Sequence, residues 1–186
     1  MYEALALLEL AVWLGLPAWV ANSTPVILGG GMPIDRGLVL RDGHRLFGNS
    51  KTVRGFVLGV ICGTLVGAAQ TLVAPYLRPL LGMFVTVTPD MEAVLFMTLS
   101  TALLLSLGAL TGDLLGSFFK RRAGIKSGNP SPILDQLGFI ILALITASPF
   151  LHPASQYAIV LILTTLCVHW LSNALGYLLG LKDHPW

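Results

Sequence analysis

The chain has 186 residues, 55% of them hydrophobic and only 11% charged, with a formal net charge of +2. Soluble domains carry about 25% charged residues, and a mean hydropathy of +0.80 leaves more apolar surface than one small water-facing core can hide, so a soluble globular fold is excluded. A nucleic-acid partner is excluded too, because there is no basic tail and no aromatic-rich RNA motif.

The first apolar run covers residues 4–28, long enough to cross about 30 Å of hydrocarbon. Met1-Tyr2-Glu3 offers no positive leader and the run is too long for a signal peptide, so this helix is expected to remain in the mature protein. Glu9 falls in its outer half. Near the other end, Asn22, Ser23, Thr24 and Pro25 interrupt the run. Proline frees a backbone carbonyl there, and Asn22 and Thr24 become candidates for phosphate or nucleotide contact, against the plainer reading that they pack a kink. Asn22-Ser23-Thr24 matches a glycosylation sequon, but its expected cytoplasmic side excludes that use.

A polar loop follows, with Gly29-Gly30-Gly31, Asp35, Arg36, Arg41, Arg45 and then Gly48-Asn49-Ser50-Lys51-Thr52-Val53-Arg54-Gly55. It is not a Walker A motif, because Asn49 and Ser50 separate Gly48 from Lys51 and no strand precedes it. Lys51, Thr52 and Arg54 just ahead of a helix amino terminus can still hold a phosphate.

The second run, 56–75, repeats Gly59, Gly63 and Gly67, the spacing of close helix packing. Only Arg78 is basic in the loop 76–90, and a third run covers 91–111. Beyond it the composition stays helical. At 100° per residue Asp113, Ser117 and Lys120 share a stripe, Arg121 lies at its edge and Arg122 points away.

Lys126 then opens a turn through Gly128, Pro130, Ser131 and Pro132 that delivers Asp135 to the start of a fourth run, 133–151. The hairpin can set Asp135 opposite Asp113. Two facing carboxylates repel unless one is protonated or both bind a cation, and a hard oxygen-seeking ion such as Mg²⁺ suits them beside Lys120, Arg121 and Lys126. A basic anchor with a neutralising acid is the plainer alternative.

The fifth run, 157–181, carries His169 and Asn173 on one face, read as interhelical hydrogen bonding. Cys62 and Cys167 sit inside apolar runs without a second cysteine nearby and read as small hydrophobes.

The expected fold is therefore all-α: a bundle of five transmembrane helices forming one membrane domain over residues 1–186, with two cytoplasmic loops making the site. Nine of the eleven Lys and Arg residues lie in 36–54 and 120–126. Placing both on the cytoplasmic face of the cell membrane puts the amino terminus outside and the carboxy terminus inside.

In these residues the chain resembles the CDP-archaeol synthase family, relatives of the CDP-diacylglycerol synthases. The resemblance runs along the whole chain and is carried by Pro17 to Pro25, Gly29-Gly30-Gly31 to Asp35, Gly48 to Gly55, Gly112-Asp113 with Ser117, Lys120, Arg121 and Lys126, and Pro130-Ser131-Pro132 leading to Asp135-Gln136.

It implies a reaction of CTP with an isoprenoid-ether glycerol phosphate, giving a CDP-lipid and pyrophosphate with Mg²⁺ required. On that reading Asp113 and Asp135 hold Mg²⁺ on the CTP phosphates. Lys120, Arg121 and Lys126 balance the leaving pyrophosphate, and Lys51, Thr52 and Arg54 hold the triphosphate or the lipid phosphate, with Ser117 and Ser131 beside them. A homodimer is compatible with it. The competing class is a small ion or phosphate carrier using the same charges.

Overall fold

The first helix, α1 (Tyr2–Leu28), runs through Pro17 and Pro25 without ending. Each proline lacks the N–H that would bond the carbonyl four residues back, so Trp13 and Ala21 lose their donors. The computed structural model, which describes residues 1–127, 129 and 131–180 (132 and 133 by backbone alone), shows what replaces them. Trp13 O accepts the Gln70 amide at 2.7 Å. Ala21 O lies so close to the second helix that a Cβ on Gly59 would stand 2.7 Å from it. The expected interruption at Asn22–Pro25 is therefore a docking groove inside a continuous helix.

The second helix, α2 (Val53–Gly82), is longer than the run 56–75 at both ends. Thr52 caps it, its hydroxyl accepting the Gly55 N–H at 3.1 Å. It also passes Pro75 and Pro79, since Leu77 and Leu81 continue the apolar face packed on the core.

The third run, 91–111, is corrected more deeply. It divides into a short α3 (Pro89–Leu95) and a long α4 (Leu99–Arg122). Thr98 makes the restart, its hydroxyl accepting the Thr101 N–H at 3.1 Å. Two side chains satisfy carbonyls the break exposes: Trp13 Nε1 donates to Leu95 O at 3.1 Å and Thr71 Oγ1 to Met97 O at 2.7 Å.

The fourth run also shortens, to α5 (Pro132–Ala147), because Ser148 precedes Pro149 and cannot readily continue a helix. The last helix is α6 (Ser155–Leu178). Gly128 and Pro130 of the expected turn, Leu181 at the end of the expected fifth run and the terminal Trp186 lie outside the described residues.

Among the described residues there is no strand, and only two isolated bridges, Pro33 with Thr52 and Val39 with Arg45. Four helices are long and apolar enough to cross a membrane: α1, α2, α4 and α6; the apolar stretch Leu134–Ala147 of α5 is shorter. α4 packs against α1, α2 and α5, and α6 against α1 and α5. Leu14, Leu105, Ile140, Tyr157 and Leu161 are fully buried among them.

Lipid tails are as apolar as leucine, so close van der Waals fit has to replace the hydrophobic effect between such helices. Gly112 illustrates it: a Cβ there would stand 2.6 Å from Gly138 O of α5. This packing brings the end of α4 and the start of α5 to one charged end, under the loop joining α1 to α2.

Candidate active site at the charged end

The α1–α2 loop is built around an acid that sequence reading left among the general loop charges. Asp35 is buried, and donors converge on both of its oxygens. Oδ1 accepts from Gly37 N at 3.1 Å and from Arg45 Nη2. Oδ2 accepts from Phe47 N at 3.0 Å, Gly48 N at 2.9 Å and Arg45 Nε at 3.3 Å. Burial pushes its acidity the other way, but the Arg45 guanidinium and the three N–H groups hold the carboxyl well below the usual carboxylate range.

Local backbone chemistry favours this knot. Arg36 and Gly37 take positive φ angles of 47° and 86°, turning the chain back over the acid. Ile34 N donates to Lys51 O at 2.8 Å and Val53 N to Met32 O at 3.1 Å, fastening both loop ends together.

Lys51 emerges from the knot and its Nζ lies 2.6 Å from Asp113 Oδ2, with both side chains about a quarter exposed. Two helical turns further along α4, Lys120 is buried and donates to both oxygens of Asp135, at 2.9 and 2.8 Å. Asp135 Oδ2 also accepts the Ser131 N–H at 2.8 Å, which ties the start of α5 to the same pair. Each acid of the expected metal pair thus has its own lysine.

The predicted stripe on α4 is buried on one side: Ser117, Lys120 and Arg121 are 6, 8 and 7% exposed. Arg121 Nε and Arg122 Nη2 are both buried without a hydrogen-bond partner among the described residues, and Arg121 is the more buried residue of the two. It lines a cavity of about 240 Å³ with His44, Arg45, Asn49, Lys126 and Ser127. Lys126 is exposed there.

Arg122, read as pointing away, instead anchors the first loop. Its Nη1 donates to Arg45 O at 2.8 Å, its Nε lies 3.1 Å from Asp42, and its guanidinium sits 4.2 Å over the Phe118 ring. Sequence periodicity found the face but could not show that a loop 77 positions earlier covers it.

The remaining candidates are spread out. Thr52 lines a small space with Lys51, Asp113 and Pro25, its hydroxyl serving as helix cap. Arg54 is exposed at the start of α2. Thr24 donates to Val20 O at 2.7 Å within its own helix. Asn22 faces a separate groove of about 310 Å³ between α1 and α6, shared with His169 and Asn173.

The donor set suits a hard divalent ion. Asp113 Oδ1 accepts no hydrogen bond among the described residues, and Asp135 lies on α5, which packs against α4, so carboxylate oxygens can be offered once a lysine is displaced. Among the described residues no three acids, histidines or cysteines cluster, so substrate oxygens and water would have to complete the shell.

Four long apolar helices closed at one end by paired acids and cations define a multi-pass membrane protein with a polar site at its rim. Residues 4–186 match the family model described as CarS-like CDP-archaeol synthase. The chain is 46% identical over 176 residues to the CDP-archaeol synthase of Thermococcus kodakarensis, covering 95% of each. It is 40% identical over 177 residues to that of Methanopyrus kandleri, covering 94% of this chain and 91% of the relative.

A solved structure of an intramembrane enzyme for archaeal membrane lipids biosynthesis superposes with a TM-score of 0.72 at 35% identity, over 88% of this chain and 92% of that one. The chain belongs to the CDP-archaeol synthase family.

Proposed function

We propose that this protein is a membrane cytidylyltransferase of archaeal lipid biosynthesis. It transfers the cytidylyl group of CTP to the phosphate of an isoprenoid-ether glycerol lipid and releases pyrophosphate. The reading rests on family membership and on one observation above all: a buried Arg121, its Nε without a hydrogen-bond partner among the described residues, at the same end as two lysine–carboxylate pairs. A buried N–H without an acceptor is costly, and an incoming polyanion supplies one. The carrier alternative has no support from the family.

In this reaction an oxygen of the lipid phosphate attacks the α-phosphorus of CTP, forming a new P–O bond as the bond to the β-phosphate oxygen breaks. Pyrophosphate leaves with the electron pair of that broken bond. Lys120, Arg121 and Lys126 hold the triphosphate tail and balance its growing negative charge. Lys51, with the Thr52 hydroxyl and Arg54, keeps the reacting phosphates over Asp113. Asp113 and Asp135 would hold Mg²⁺, which when bound screens the repulsion between two anionic phosphates. The protein's contribution is position and electrostatics, with no covalent intermediate on the chain.

Five helices crossing the bilayer complete the proposal, α5 being the short fifth. Ten Lys and Arg then lie on the cytoplasmic side and Arg78 alone outside. CTP arrives from the cytoplasm while the lipid chains stay in the bilayer.

Pyrophosphate release by detergent-purified protein, given CTP, Mg²⁺ and an ether-lipid phosphate or diacyl phosphatidate, tests the reading. Release should need lipid, CTP and metal, stop with EDTA and return with added Mg²⁺. Asp113→Asn and Asp135→Asn should each lower it by about a thousandfold while remaining monodisperse. A fully active Asp113→Asn protein would remove Asp113 from the mechanism.

A further inference from the structure

Lys51 stands at the end of a loop with no regular secondary structure, yet its amine meets Asp113 at 2.6 Å. Something in the loop must fix it, since a free segment of this length would sample many positions. The hydrogen bonds of Asp35 reach along that segment. They capture Arg45, Phe47 and Gly48, and Gly48 O in turn accepts the Lys51 N–H at 3.4 Å. Gly48 has φ of 111° and sits where a Cβ would come within 2.9 Å of Ser127 Oγ and 3.8 Å of Arg121 Nη1. The same short stretch therefore faces Asp113 on one side and the Arg121 cavity on the other.

We propose that Asp35 is a positioning residue for the reaction: it holds 45–51 so that Lys51 meets Asp113 and Gly48 closes against Arg121. Asp35 touches neither site directly. Its carboxylate is suited to the task because both oxygens face only donors, two on Oδ1 and three on Oδ2. An amide cannot replace it. Whichever way Asn is turned, its NH₂ group faces donors, either Gly37 N with Arg45 Nη2 or the N–H groups of Phe47 and Gly48, and one half of the knot is repelled.

The proposal rests on the cytidylyltransferase reading for its kinetic arm only. For an arm independent of activity, Ser50 and Ser127 are suitable reporters, their hydroxyls 3.4 Å apart and both exposed. In a chain with Cys62→Ser and Cys167→Ser, the pair Ser50→Cys and Ser127→Cys should close a disulfide under mild oxidation. Adding Asp35→Asn should slow closure by about tenfold, and in the serine background it should raise KM for CTP by about ten- to a hundredfold. A merely destabilised protein loses active fraction and does not move KM. Arg45→Gln retains the three backbone donors and should shift both readouts in the same direction by less, which carries the test if Asp35→Asn does not fold.

Closure at the parent rate in Asp35→Asn, or an unchanged KM for CTP, overturns the proposal. Failure of the parent pair to close overturns the loop placement on which it stands. Slowed closure in a protein that never releases pyrophosphate supports the positioning role and sinks the functional reading alone.

Discussion

The two ends of the helix bundle deal with irregular backbone in opposite ways. At the end near α3, the break between α3 and α4 is closed by neutral donors: Trp13 takes Leu95 O and Thr71 takes Met97 O. At the charged end, acids and cations organise the loop and the helix ends, and two cations, Arg121 and Arg122, each have a buried nitrogen left over among the described residues. A region held by neutral hydrogen bonds contributes stability, even where one acceptor, Gln70 Oε1, is left without a partner among the described residues. A buried charge left incomplete lowers stability and waits for a ligand.

The sharpest way to break this contrast is Arg121→Met, which removes the surplus charge and keeps the bulk. Pyrophosphate release should fall by about a hundredfold, while thermal stability rises by about 1 kcal/mol because a buried charge with an unmet N–H is gone. Loss of both activity and stability would make Arg121 an ordinary structural cation. Thr71→Val is the counterpart at the other end. It leaves Met97 O without its 2.7 Å donor and should lower stability by about 1–2 kcal/mol in a thermal melt, with turnover unchanged. A drop in turnover without a drop in stability would show that the two ends are coupled.

A smaller effect concerns pH. Asp35 has a carboxyl held below its ordinary value of 3.8, so its contribution to loop order is fully present above that value. It is lost only as pH falls further, toward the depressed folded-state value. Closure of the Ser50→Cys, Ser127→Cys pair, measured with an oxidant whose rate is pH-independent and corrected for thiolate fraction, should therefore not change through loop disorder between pH 8 and about 5. A collapse of loop order within that range would assign control to another group.

Much of the charged end was legible in the chain itself. Helical periodicity put Asp113, Ser117, Lys120 and Arg121 toward one face of α4, and three of them are buried there. The glycine spacing of α2 marked its close-packed face, where Gly59 meets Ala21 O. Pairing was not legible. The acids read as facing one another each hold a lysine, Asp113 one from the loop and Asp135 one from the end of α4. Asp35 and Arg122 were passed over for a related reason, since their partners are loop backbone groups and residues far away in sequence.

The chain alone determined that this is a membrane protein and that phosphate chemistry belongs at one edge of it, because apolar length, clustered cations and acids beside them are properties of composition and order. It also carried the motifs of its family. Tertiary structure decided where the third apolar run breaks, which lysine serves which acid, and that Arg121 Nε is left without an acceptor among the described residues. Those outcomes depend on donors and acceptors brought together across tens of residues, and no local periodicity encodes such distances.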